Sequence, residues 1–155
     1  MPPQITEHKY DAIYFWSIRF ISLINRYIYP IRRNELTYML SFIDDDKLRI
    51  LDYGCGSGHF TNRIKKSKPS CTVIGADINS YAINYAQHKY KNVTFLTPDN
   101  QLIEQGGFDI IIVSHLLEHI HKREEFLQQV LCLLKRGGKI IIAVPQERIR
   151  GDGTL

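Results

Sequence analysis

The feature that most constrains the fold is a glycine-rich stretch, LDYGCGSGHF, at residues 51–60. It begins within an apolar run and places a glycine at every second position, at Gly54, Gly56 and Gly58. A glycine inside regular structure costs about 0.5–1 kcal/mol relative to alanine, so this loop must need positive φ or missing side chains. Bare main chain in front of a helix N-terminus lets a ligand approach closely. The loop is therefore a candidate binding site.

Short apolar runs alternate with amphipathic stretches from residue 48 onward. The runs are rich in β-branched residues and continuously apolar, as strands covered on both faces are. They are LRILD (48–52), CTVIGAD (71–77), NVTFL (92–96), FDIIIVS (108–114) and KIIIAVP (139–145). Helical patterns lie between them at about 58–66, 80–90 and 121–135. We expect the two glycines at 137–138 to end the last helix. This alternation predicts an α/β fold with right-handed crossovers and a doubly wound parallel sheet.

Residues 1–46 have a different pattern and are rich in aromatic side chains. Apolar residues recur there at spacings of three and four, which predicts one helix that Pro30 ends and a second from about 33 to 42. We expect 1–46 to form a helical cap or lid, and 47–155 to form a single globular domain. The stretch 12–30 carries arginines that make a transmembrane helix costly, but peripheral contact with a membrane surface stays open.

Composition limits the classes of partner and compartment. The formal net charge is +4, and the Lys and Arg residues are mostly scattered, so a nucleic-acid partner is not expected. The cysteines Cys55, Cys71 and Cys132 are odd in number and lack metal-binding spacing, which favours a reducing compartment without disulfides. Because a charged stretch follows Met1 rather than an apolar signal segment, we expect a cytoplasmic protein.

Five motifs in order carry a family resemblance. ILDYGCGSGHF (50–60) closely resembles the first motif, hydrophobic-D-x-G-C-G-x-G, of class I S-adenosylmethionine (SAM)-dependent methyltransferases. The later motifs of that family are matched in sequence by VIGADIN (73–79), FLTPDNQ (95–101), FDIIIVSHLLEHI (108–120) and LLKRGGKIIIAVP (133–145). The set covers about 48–145 and is far more specific than any one member. The subgroup it most resembles contains small-molecule and ubiquinone-biosynthesis methyltransferases.

The resemblance implies a Rossmann-like, mostly parallel sheet in the order 3-2-1-4-5, with SAM as the cofactor. It implies methyl transfer to an acceptor, which we expect to be a small molecule. The family sheet usually has two further strands after strand 5, so we expect the chain to be truncated there. An apolar edge strand invites pairing, and a second copy or a partner chain would cover it. The alternative function is a non-catalytic SAM-binding subunit or a methyltransferase fragment.

The resemblance also implies which residues bind the cofactor. From the first three motifs and the end of the fourth strand they are Asp52, Tyr53, Gly54, Cys55, Gly56, Gly58, Asp77, Ile78, Asn79, Asp99, Asn100 and Ser114. Asp77 ends the second strand, where a carboxylate can accept hydrogen bonds from ribose hydroxyls; the alternative role is a helix cap. Asp99 would lie near the adenine, although Pro98 stands where the family usually has glycine. Asp52 suits a cationic amine, and Cys55 would face the cofactor through its backbone.

The segment SHLLEH (114–119) admits other interpretations. His115, Glu118 and His119 match the inverted zinc-protease motif H-x-x-E-H, but the third ligand of a catalytic zinc is not evident. A divalent-ion site like that of some related methyltransferases would need an acid where His115 stands, and we expect no metal. The remaining alternatives are a structural network and a general base, for which His119 is the candidate. A nicotinamide cofactor would favour G-x-G-x-x-G, with glycine in place of His59.

Overall fold

The computed structural model describes residues 16, 31–44, 47–98 and 106–145. Most of the predicted first helix and of the 12–30 stretch lies outside the described residues, as do Asp99 and Asn100. Within the described part, no helix is long and apolar enough to cross a membrane.

Helices and strands alternate along the described chain, as the apolar runs predict. In order they are α1 (Ile31–Leu40), β1 (Arg49–Tyr53), α2 (His59–Ser67), β2 (Thr72–Ala76), α3 (Ser80–Lys89), β3 (Thr94–Leu96), β4 (Phe108–Ser114), a 3-10 turn (Leu117–His119), α4 (Arg123–Leu133) and β5 (Leu134–Ala143).

The five strands form one parallel sheet in the order β3-β2-β1-β4-β5. Ile50 of β1 pairs with Val73 of β2 on one side and with Ile110 of β4 on the other. This confirms the predicted doubly wound, Rossmann-like topology. The strand order reverses between β1 and β4, and ligands bind such sheets outside the carboxyl ends of the strands at that point.

Strand side chains alternate between two packed layers, because successive residues point to opposite faces of a sheet. On one face Ile50 and Ile112 pack against α1 and against Ile64 of α2. On the other face Leu51 and Ile111 pack against α4. Burial of each such side chain contributes roughly 1.5–3 kcal/mol, so both layers hold the strand ends in fixed positions.

Part of the predicted cap packs into this core. Leu36 and Met39 of α1 are buried, and Met39 belongs to the cluster on the α2 face. At the carboxyl edge of the sheet, Glu35 Oε1 lies 2.8 Å from His115 Nε2. Near the amino edge, Asp44 Oδ2 lies 3.6 Å from Lys139 Nζ. Residues 35–44 therefore run across the sheet antiparallel to the strands. The division of the chain at residue 46 stays a prediction.

Strand β5 begins earlier than predicted. Helix α4 ends at Leu133, and the two glycines at 137–138 lie inside the strand rather than at the helix end. The register with β4 shifts between Phe108 and Ile110, opposite these glycines. A Cβ at Gly138 would lie 2.9 Å from the Phe108 carbonyl oxygen, so close backbone approach at this irregularity accounts for the glycine.

The outer edge of β5 is free within the described chain. Its inner edge pairs with β4, and no other described strand adjoins it. Ile142 and Val144 are 42% and 57% exposed. Coverage of this edge by a second copy or a partner chain stays a prediction.

Candidate functional site

The glycine loop leaves β1 in a left-handed backbone conformation. The φ angles are +85° at Gly54, +51° at Gly56 and +73° at Gly58, a region that favours glycine. A Cβ at Gly58 would lie 2.6 Å from the Phe95 ring, so packing also requires glycine there. A Cβ at Gly56 would meet no described atom within 4 Å. Gly56 is therefore the point where the loop presents bare main chain to open space.

The loop amides are already paired within the protein. Gly54 and Cys55 donate their N–H groups to the Ala76 carbonyl at 2.7 and 3.0 Å, which ties the loop to the end of β2. Gly58 donates to the Cys55 carbonyl at 3.0 Å, and Gly56 donates to the Asp77 carboxylate at 2.7 Å. The sequence suggested amides that reach a ligand, whereas the structure shows these four used to hold the loop in shape.

Asp77 joins the end of β2 to the glycine loop. Its Oδ2 accepts from Gly56 N at 2.7 Å and its Oδ1 from Asn79 N at 2.8 Å. Asn79 caps α3 by accepting from Ala82 N at 3.1 Å, so the capping role left open for Asp77 belongs to Asn79. Burial raises the pKa of Asp77, against which the two backbone bonds lower it. Each carboxylate oxygen retains acceptor capacity for a further hydrogen bond.

Asp52 lies beneath the loop, on the sheet face that carries α2. It is 2% exposed, and the Thr61 hydroxyl donates to its Oδ2 at 2.6 Å. Burial raises the pKa of Asp52 to about 7; the Thr61 bond lowers it, and the charge of Asp77 raises it. The carboxyl thus carries a charge that depends on pH close to neutrality.

This buried carboxyl predicts that stability falls as pH rises. The pKa of Asp52 is 3.8 before folding and about 7 after it, so the folded state holds an extra proton across that window. The free energy of unfolding should fall between these values by up to about 1.4 kcal/mol per pH unit. Urea unfolding at pH 5 and pH 7.5 tests this, because Asp52→Asn should lose less stability over that interval than the wild type. Parallel profiles for the two proteins would contradict it.

The other predicted residues that the structure describes lie at or near the same edge. Tyr53 is half-buried and stacks edge-on against Phe126, with ring centroids 5.3 Å apart. Ile78 is 43% exposed just after β2, and Ser114 is the last residue of β4. Burial raises the pKa of the Cys55 thiol, which keeps it protonated and agrees with a role through its backbone alone. The structure therefore brings together predicted residues from β1, β2 and β4.

The H-x-x-E-H segment does not form one ligand set. His115 contacts Glu35 and faces Glu118, whereas His119 is exposed on the 3-10 turn. Across the described ranges, no group of three or more His, Cys, Asp or Glu side chains is placed to hold a metal ion. Glu35 was missed by sequence reasoning, since 80 residues separate it from His115 and no local pattern links them.

Comparison with known proteins agrees with the fold and the loop. Residues 44–154 match the family model described as "Methyltransferase domain". The chain is 28% identical over 122 residues to the ubiquinone biosynthesis O-methyltransferase of Coxiella burnetii, an alignment that covers 75% of this chain and 50% of that protein.

Two solved structures illustrate the structural likeness. A SAM-dependent methyltransferase from Aquifex aeolicus superimposes with a TM-score of 0.66 at 21% identity, covering 86% of this chain and 77% of that one. The plantazolicin methyltransferase BpumL, in complex with a monoazolic desmethylPZN analogue and S-adenosylhomocysteine (SAH), gives a TM-score of 0.58 at 27% identity, covering 69% and 42%.

The family is shown by the match to the family model, which covers more than half of the chain. The chain spans only 36% to 54% of the length of curated relatives such as these. The family model nevertheless covers the whole sheet and the glycine loop. On the strength of that match, this chain is a member of the methyltransferase-domain family.

Proposed function

We propose that this chain is a SAM-dependent methyltransferase whose acceptor is a small molecule. S-adenosylmethionine is the methyl donor. The observation that carries the proposal is the junction of β1 and β2, where the Asp77 carboxylate is fixed against the glycine loop by the Gly56 amide at 2.7 Å. An acid at the end of β2 beside a glycine loop at the end of β1 is an arrangement by which doubly wound folds bind the ribose of a nucleotide cofactor.

The residues at this edge fit the cofactor in shape and charge. Gly56 leaves space for close approach, and Asp77 has acceptor capacity for ribose hydroxyls. Asp52 is a buried carboxyl beneath the loop, and a bound ligand that carries an ammonium and a sulfonium would favour its charged form. Ser114 would border the methionine portion, and Asp99 with Asn100 would contact the adenine.

The protein's own part in methyl transfer is chiefly positioning. Bound SAM supplies an electrophilic methyl group on a sulfonium that leaves as a neutral thioether. The strand ends would hold the donor in a fixed position, because the layers on both faces of the sheet are packed. Holding donor and acceptor in line at attack distance can lower the barrier by roughly 7–11 kcal/mol. A base is needed only where the acceptor must lose a proton.

A small-molecule acceptor agrees with the relatives' names. The Coxiella burnetii relative is named for ubiquinone biosynthesis, and BpumL was solved with a desmethylPZN analogue. Neither name identifies a nucleic-acid or protein acceptor. The acceptor for this chain is therefore sought among small metabolites.

Transfer of a labelled methyl group tests the proposal. The full chain is incubated with methyl-labelled SAM and the small-molecule fraction of a cell lysate, and the products are separated by chromatography. We expect at least one labelled product that boiled protein does not form. In parallel, SAM and SAH should raise the melting temperature, and NAD should not. Binding of SAM without any labelled product would instead indicate a non-catalytic subunit.

A further inference from the structure

His115 has a backbone and side-chain environment that the binding of the cofactor does not explain. It follows the last residue of β4 with a φ of +51°, and its N–H donates to the Ala143 carbonyl at 2.9 Å. A left-handed conformation costs a residue other than glycine about 1–2 kcal/mol. Such strain persists where the surrounding structure fixes it, and it is frequent at functional sites.

The imidazole of His115 is oriented by an acid from a distant part of the chain. Its Nε2 lies 2.8 Å from Glu35 Oε1, and the side chains are 36% and 30% exposed. Its Nδ1 lies 3.8 Å from Glu118 Oε1, beyond hydrogen-bond distance. With Nε2 protonated and donating to Glu35, the Nδ1 lone pair has no hydrogen-bond donor among the residues that the structure describes.

This histidine borders the candidate cofactor site. β4 and β1 are adjacent in the sheet, and His115 follows β4 at the edge where the glycine loop follows β1. The neighbouring residue, Leu116, packs on that loop. A Cβ built at Gly54 would lie only 2.9 Å from Leu116 Cδ2. His115 therefore lies at the edge of the sheet where the cofactor is proposed to bind.

We propose that His115 accepts the proton of a hydroxyl-bearing methyl acceptor, with Glu35 as the positioning residue. The inference rests on the proposed methyl transfer. A lone pair of the acceptor oxygen forms the new C–O bond, and the C–S bonding pair stays on sulfur. The O–H bonding pair stays on oxygen, and the proton passes to Nδ1 of His115. Glu35 stabilises the resulting imidazolium through Nε2–H, and water later removes the proton.

The predicted base, His119, is less suited to this role. It lies exposed on the 3-10 turn, and its ring has no hydrogen-bond partner among the residues the structure describes. A general base is most effective when a second group fixes its tautomer and orientation. For His115 the second group is Glu35, which belongs to α1, a helix packed on the sheet.

The tautomer of His115 is the first test, and it needs neither cofactor nor acceptor. Nitrogen-15 NMR of the labelled full chain should show His115 protonated at Nε2 and unprotonated at Nδ1, with its signals assigned by their loss in His115→Gln. Glu35→Ala should give a mixture of tautomers, whereas Glu35→Gln, whose amide oxygen still accepts from Nε2–H, should retain the wild-type form. An Nδ1-protonated ring in the wild type, or no change in Glu35→Ala, would overturn the inference.

The second test is the rate at which the chain transfers the labelled methyl group to its acceptor from the lysate. We expect His115→Gln to lower the rate about 100-fold, within the range for general-base loss, with SAH affinity unchanged within twofold. Glu35→Ala should lower the rate about tenfold and Glu35→Gln less. Glu125→Gln is the matched control, since Glu125 pairs with Lys122 on the surface, and it should keep the wild-type rate.

The outcomes separate this inference from the proposed function. Wild-type transfer that persists in His115→Gln overturns the proton-acceptor role and leaves the methyltransferase intact. A wild type that binds SAH but labels nothing overturns both. A loss of rate in His119→Asn as large as in His115→Gln contradicts the choice between the two histidines.

Discussion

Replacing Asp77 with alanine is expected to weaken the binding of SAH at least tenfold, about 1.4 kcal/mol in binding free energy. Two effects add in the same direction. The variant loses the carboxylate proposed for the ribose hydroxyls, and it frees the Gly56 amide that this carboxylate holds at 2.7 Å. The loop then loses one of the four bonds that hold it in shape. Calorimetric titration of the full chain measures the change directly.

Asp109→Ala is the matched control for this variant. Asp109 also accepts from a backbone amide, Arg49 N at 2.9 Å, and from Lys135, and these bonds lower its pKa. It lies near the amino ends of the strands, away from the proposed site. We therefore expect Asp109→Ala to lower stability without changing SAH affinity. Equal losses of affinity in the two variants would remove Asp77 from the ribose.

Gly58→Ala is expected mainly to lower the stability of the fold, whereas Gly56→Ala is expected mainly to weaken the binding of SAH. At Gly58 the new methyl would lie 2.6 Å from the Phe95 ring and 2.9 Å from Ala86 Cβ, in a backbone with φ +73°. Overpacking and left-handed strain together should destabilise the fold by about 2–4 kcal/mol. At Gly56, where no described atom lies within 4 Å of the new methyl, the strain alone should remove about 1–2 kcal/mol.

The loss of SAH affinity should be larger in Gly56→Ala than in Gly58→Ala, the reverse of the order for stability. The methyl at Gly56 projects into the space proposed for the cofactor, so SAH affinity should fall at least tenfold in a protein that still folds. Urea unfolding and calorimetry on the same two variants measure stability and affinity. A Gly56→Ala protein that binds SAH normally would show that the cofactor does not approach the loop there. Equal destabilisation of the two variants would contradict the packing assigned to Gly58.

The strands were predictable because their signal is local, whereas their order in the sheet was implied by the family resemblance. Continuous apolar runs such as FDIIIVS mark strands buried on both faces, and β4 lies where that run predicts. The short connections between such runs then allow few arrangements. The place of Asp77 followed from the same reasoning, since it stands directly after an apolar run.

The features that the sequence did not show depend on tertiary contacts. Glu35 reaches His115 only because α1 packs antiparallel to the strands, which no pattern in residues 31–44 indicates. The bond between Asp52 and Thr61 likewise depends on the packing of α2 on the sheet. Gly137 and Gly138 match a helix end as well as a strand irregularity, and the register of β5 with β4 decides between them.

Calorimetric titration of the wild-type chain with SAH tests the central claim most directly, namely that a SAM-type nucleoside binds at the carboxyl ends of β1 and β2. We expect saturable binding of one ligand per chain, displaced by SAM and unaffected by NAD. Folded protein that gives neither heat nor a rise in melting temperature with millimolar SAH or SAM would contradict the account.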